Sequence, residues 1–209
     1  MASGCKNCYL VFNTGPAEET LYSRGLRNSM DSSDLYFGFA IDRCYESINI
    51  QESNGVTHGQ NVVSCVDSHF LLNCSGLINC FGCVNLRNKS NCFLNEQLSK
   101  DEYNKRVSEI MGSSERMAQF RKEFDEFALK FPRRENNNLQ SVDSTGDYLS
   151  ECKNVKDSFE ILKSEDCRYT FSSKLIKDSI GTIGYGTNCE RLLECVAVGY
   201  STNIVGTYG

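Results

Sequence analysis

The sequence predicts a mainly β fold: a right-handed β-helix, or β-solenoid, of irregular coils of about 21 residues, interrupted by a helical hairpin. Three observations predict it. A short motif recurs, Asn or Asp followed by Cys or Ser, often with an aromatic residue close behind. The runs between motifs are only four to six residues long and read as strands. A segment of helical periodicity then separates two blocks of the repeat.

The motif appears as Asn7-Cys8-Tyr9, Asn28-Ser29, Asp31-Ser32, Asp67-Ser68, Asn73-Cys74, Asn79-Cys80-Phe81 and Asn91-Cys92-Phe93. It returns as Asp157-Ser158-Phe159, Asp166-Cys167, Asp178-Ser179 and Asn188-Cys189. Cys8 to Ser29, Cys44 to Cys65 and Ser158 to Ser179 are each 21 apart, and Ser32 to Cys44, Ser68 to Cys80 and Cys80 to Cys92 are each 12 apart. One turn of about 21 residues with two or three inward corners generates both spacings. Cys8, Leu10 and Phe12 are expected on one strand face, and Phe70, Leu72 and Cys74 on another. Small Cys and Ser side chains suit a narrow interior. Asn and Asp suit corners, because they tolerate left-handed backbone.

Residues 1–97 form the first block on this reading, 98–134 a helical insertion, 135–150 a polar linker and 151–209 the second block. Ser99 followed by Glu102 is a capping-box signature, and Gly112-Ser113-Ser114 divides the insertion into two helices. Met117, Phe120, Phe124, Phe127 and Phe131 make one apolar stripe that stops at Pro132. The stripe packs on the solenoid or on the first helix, or else makes Met117, Phe120, Phe124 and Phe127 a self-association seam. The chain reaches Tyr208-Gly209 with no recognisable polar cap, so either more chain or another copy is expected to cover that end.

The chain has 209 residues, twelve cysteines and a net charge of −5. It lacks the basic excess of a nucleic-acid binder and has no run long and apolar enough to span a membrane. No signal peptide is recognisable, so the cysteines read as buried thiols or metal ligands in a reducing cytoplasm or a virion, not as a disulfide framework. Cys5-x2-Cys8 and Cys80-x2-Cys83 have zinc-ligand spacing. Cys80 and Cys83, with Cys74 and Cys92 from neighbouring coils, are the candidate zinc ligands; the alternative is that all four are structural thiols. His58 and His69 read as ordinary coil residues. The glycine-rich run Gly181 to Gly186 has no following Lys-Ser/Thr and reads as turn chemistry. Asp31, Asp34, Asp42 and Asp67 could share a face, as in solenoids that act on polysaccharides.

Several stretches are similar to the cysteine-rich repeat proteins of candidate-phyla bacteria and uncultivated marine phages. They are Cys5-Lys-Asn-Cys-Tyr-Leu10, Cys44-Tyr-Glu-Ser47, Asn79-Cys-Phe-Gly-Cys-Val-Asn-Leu-Arg-Asn88, Phe131-Pro-Arg-Arg134 and Ser144-Thr-Gly-Asp-Tyr-Leu149. Where such proteins place Cys, this chain often has Ser, Val or Thr, as at Ser29, Ser32, Val155 and Thr170. The resemblance implies a phage-encoded or virion-associated protein and no established activity. The regular repeat and the missing catalytic constellation lead to the expectation of a non-enzymatic structural or protein-interaction repeat protein, with a protein partner or self-association and no cofactor. The alternatives are a zinc-binding cysteine-rich module and a glycan-binding or glycan-cleaving β-helix.

Overall fold

A computed structural model describes residues 4–12, 14–184, 189–196 and 205–208, with side chains described as far as residue 184. Asn188, the end of the glycine-rich run at Tyr185-Gly186, and the side chain of Cys189 lie outside the described residues. The chain divides into two compact units, Met1–Pro132 and Arg133–Gly209.

The first unit is a stack of parallel coils. Its strands include Leu21–Met30, Ser33–Asp42, Tyr45–Val63, Val66–Ser75 and Phe81–Val84. Pairing is parallel, and each residue faces the one twelve positions on: Leu21 with Ser33, Ser33 with Tyr45, Val56 with Ser68, Leu71 with Cys83. The coil is therefore 12 residues, not about 21. The 21-residue spacing is one coil plus nine residues, and both numbers are multiples of three.

Three is the controlling period. Every third residue from Thr14 to Cys83 is buried. The residue before each buried one usually has positive φ, which turns the chain at that point. Asn7, Asn28, Asp31, Asp67, Asn73, Asn79 and Asn91 all do so, with φ between 44° and 54°. Asx residues at the corners thus match the sequence expectation. Leu10, Tyr22, Phe37, Ala40, Glu46 and Phe70 adopt the same conformation, which such side chains rarely take. The two-residue alternation expected from sequence is overturned for this reason. Phe12 and Leu10 point outward, and Leu71 enters the core where Leu72 was expected to.

The inward Ser and Cys side chains carry hydrogen bonds between coils. The Ser68 hydroxyl donates to Val66 O at 2.8 Å and accepts from Cys80 N at 3.0 Å. Ser53 does the same with Gln51 O and Cys65 N, and Ser32 with Met30 O and Cys44 N. Thiols take the same place: Cys74 Sγ donates to Leu72 O or Cys83 O, and Cys65 Sγ accepts from Leu77 N at 3.4 Å. A buried polar atom with two partners costs little, and either Ser or Cys supplies it. This explains why the two residue types interchange along the repeat. Ser68→Ala leaves the Cys80 N–H without its acceptor and should cost about 1–3 kcal/mol, whereas Ser68→Cys should retain most of the stability. Urea denaturation of the two variants checks this.

Two helices follow the coils, α1 (Lys100–Met111) and α2 (Ser114–Ala128). The capping box at Ser99 and Glu102 is formed on both sides, and the break falls at Gly112-Ser113 as the sequence predicts. No helix among the described residues is long and apolar enough to cross a membrane.

The second unit repeats the same construction. Every third residue from Leu149 to Thr182 is buried, and Ser164 bridges Leu162 O and Ile176 N. Asp157, Asp166 and Asp178 occupy positive-φ corners. The strand Gly146–Ser150 pairs with Ser158–Leu162, and Leu139 bridges Ser150. Coil pairing thus begins inside residues 135–150, the segment expected as a linker. Its polar residues are coil corners and bridging groups: Asn138 Oδ1 accepts from Leu149 N at 3.0 Å.

Candidate functional site

The 12-residue register stacks side chains in columns on the outside as well as the inside. One outer column runs Tyr9, Leu21, Ser33, Tyr45 through the first coils and His69, Phe81, Phe93 through the last. The column beside it carries Leu10, Tyr22, Asp34, Glu46, His58 and Phe70. With a third outer column, Phe12, Arg24, Tyr36, Ile48, Leu72 and Val84, they form one face of the first unit.

The helical hairpin closes the later half of this face. Phe120 inserts among Phe70, Phe81 and Phe93, with ring centroids 5.2, 4.7 and 5.8 Å away. Gly82, at φ +68°, leaves room for it: a side chain there would meet Phe120 Cζ at 2.8 Å. Phe124 packs on Phe70, and Met117 and Phe127 lie partly buried against the same cluster. Of the two uses open for the stripe, it serves as the seal of the hairpin on the solenoid. Phe120 is only 1% exposed, so the stripe does not stand free as a self-association seam.

The earlier half of the face is open. Tyr9 is 58% exposed and Phe12 59%, while Phe81, in the column of Tyr9, is fully buried. Here lies a groove of about 620 Å³, walled by Arg121 of α2 and lined by Leu10, Phe12, Tyr22 and Ile48. Arg24, Asp34, Tyr36 and Glu46 supply its polar groups. The Arg24 guanidinium lies over the Tyr36 ring, 5.9 Å from its centroid.

A charged cluster marks the boundary between the covered and open halves. Glu46 Oε2 lies 2.7 Å from His58 Nε2 and 3.3 Å from Arg121. His58 stacks on Phe70 with centroids 4.4 Å apart. Its Nδ1 is buried without a hydrogen-bond partner. Glu46 Oε2 is likewise buried without a hydrogen-bond partner, so its 2.7 Å approach to His58 Nε2 is an ion-pair distance and not an aligned hydrogen bond, and protonating His58 at Nδ1 would bury a bare N–H. Burial lowers the His58 pKa, Glu46 opposes this, and Arg121 adds to it. Burial also lowers that of His69, whose Nδ1 lies 2.8 Å from Thr57 Oγ1.

Both histidines therefore bind a proton less readily when folded than when unfolded. Stability should hold above the unfolded value near pH 6.5 and fall as pH drops from there through the lowered folded values. His58→Gln should flatten this fall between about pH 6.5 and 5, as read by denaturation at several pH values. Sequence reading missed the cluster, because Glu46 and His58 are 12 apart and Arg121 lies on a different element. The 12-residue spacing was the available signal.

The candidate zinc ligands share the first unit's interior. Cys74, Cys80, Cys83 and Cys92 are all buried in one cluster. A thiol–thiol hydrogen bond with Cys83 holds Cys80 down to about 7, and the same bond pushes Cys83 up, as does burial. Burial raises Cys74 and Cys92 to about 11 each. Cys83 Sγ also lies 3.7 Å from Cys92 O, and Cys92 Sγ 3.7 Å from Gln97 Oε1. Among the described residues no three His, Cys, Asp or Glu side chains are arranged to hold a metal ion. The four thiols hydrogen-bond instead to backbone carbonyls and to each other. Cys5 is exposed, and its thiol hydrogen-bonds with that of Cys8. The four aspartates divide, with Asp34 on the groove face, Asp31 and Asp67 at another corner of the coil, and Asp42 in the column just before that corner.

No family model matches the chain, and no curated protein matches it. Similar solved structures include an assigned acetyltransferase from Desulfovibrio desulfuricans G20, at 9% identity and a TM-score of 0.19 over 91% of this chain and 60% of that one. The polySia-specific acetyltransferase NeuO is similar at 6% identity and a TM-score of 0.13, over 99% of this chain and 81% of the other. The likeness to these acetyltransferases is weak and carries no statement of activity. The chain is mainly β, with long parallel pairing, many cysteines and two inserted helices.

Proposed function

We propose that the protein is a non-enzymatic structural and protein-interaction module. One observation carries this reading: a single outer face is sealed by the chain's own hairpin over its later coils and left open over its earlier ones, where Tyr9, Phe12 and Tyr22 are more than half exposed. Side chains of this kind on a repetitive frame favour recognition of another protein. The resemblance to cysteine-rich repeat proteins of phages and candidate-phyla bacteria extends the reading to a virion-associated role. The right-handed winding expected from the sequence belongs to the same proposal, and a crystal structure reads it directly.

Selection from a displayed library of protein fragments tests the proposal. The wild-type chain should enrich binders that a Tyr9→Ser/Tyr22→Ser variant does not retain. No enrichment, or equal enrichment by the variant, contradicts it. Release of reducing sugar from a panel of polysaccharides would contradict the non-enzymatic part.

A further inference from the structure

The geometry points to a specific occupant for the open groove: an amphipathic helix of a partner protein, seated on the early coils as α2 is seated on the late ones. This rests on the interaction reading above and narrows it.

The groove continues the surface that α2 already covers. Glu46 and Arg121 join the two halves, and Arg121 is itself a wall of the groove. The covered half shows what such a surface accepts, a helix whose Phe120 and Phe124 enter between stacked aromatic side chains. The open half offers the same chemistry in the same columns, with Leu10 and Tyr22 where the later coil has Phe70, and Phe12 and Ile48 where the later coils have Leu72 and Val84 against the hairpin.

The dimensions agree. Coils rise about 4.8 Å each, and a helix about 5.4 Å per turn. A helix laid along the stack therefore meets one coil per turn, with about 2 Å of drift over three coils. From Phe12 to Ile48 the groove spans three coil steps, about 14 Å, or about ten helical residues. A second copy cannot supply that helix from its own α2, because its Phe120 and Phe124 are sealed. The occupant is therefore a different protein. Arg24 and Asp34 place both signs of charge on the floor, which suits a helix with mixed polar flanks and not a polyanion.

The probe is a stapled, dye-labelled helical peptide with the sequence of residues 114–128, which carries the Met117, Phe120, Phe124 and Phe127 stripe. Fluorescence anisotropy with the full chain should show saturable binding. Tyr22→Ser and Ile48→Ser should each weaken it at least tenfold, with circular dichroism confirming that both variants fold. Phe159→Ser, an exposed position of the second unit, should leave binding unchanged. Hydrogen exchange of α2 in the complex should stay protected, which shows that the peptide has not displaced the native hairpin. No saturable binding, or equal binding by the variants, overturns the proposal. So does sedimentation showing a dimer that Tyr22→Ser dissolves, which would put a second copy on the face. If the library selection above yields binders that are extended and not helical, this inference fails while the interaction reading stands.

Discussion

Phe120→Ala is expected to release the hairpin. The ring is buried among Phe70, Phe81 and Phe93, and truncating a buried Phe costs about 3–5 kcal/mol. Neither helix has a strong reason to persist alone, since helices of 12 and 15 residues are marginal in water without an apolar face to bury. The coils do not depend on the hairpin in the same way, because each contacts chiefly its neighbours. Loss should therefore be local. Hydrogen exchange should accelerate across residues 100–131, while the strands between Leu21 and Ser75 keep most of their protection. Uniform loss of protection would mean that the hairpin is integral to the stack, not a cover applied to it.

Leu71→Ala should destabilise the stack itself. Leu71 is almost fully buried and lies between Gly59 on one coil and Cys83 on the next. Gly59 has no side chain to relax into the space, and Ile50, Val56 and Val62 already crowd its own position at 3.0–3.1 Å from where a Cβ would sit. The cavity should therefore persist, placing the cost toward the upper end of the usual 2–5 kcal/mol, roughly. Val66→Ala, at an outward and partly exposed position, serves as the comparison and should cost far less. Urea melts of the two variants, monitored by circular dichroism, measure the difference.

Much of this architecture was legible in the sequence, and the part that was not has a physical cause. Asn and Asp before Cys or Ser marked real corners, because Asx residues enter the left-handed region at least cost. The capping box and the Phe120–Phe124 stripe located the hairpin, since helix ends and faces are set by local chemistry. The coil length was misread because the motif samples only some corners. Leu10, Tyr22, Phe37 and Phe70 turn the chain as well, and nothing in their side chains announces it. Without them the three-residue period is hidden, and a coil plus nine residues resembles a coil. The cysteine spacing has a related explanation. Cys-x2-Cys spacing is also the spacing of two successive inward positions, as Cys80 and Cys83 show. The groove and the Glu46–His58–Arg121 cluster become visible only once the register is known, because they join residues from five coils and a helix.

The most direct test of the 12-residue coil is to remove one. Deleting residues 51–62 takes out a full turn and rejoins Ile50 to Val63, with every inward position still in phase. That protein should keep its β-sheet circular dichroism and a cooperative urea transition. Deleting residues 51–60 removes ten, which is not a multiple of three, and should abolish the transition or leave only part of it. Equal tolerance of the two deletions, or a collapsed 12-residue deletion beside a folded ten-residue one, would contradict the account.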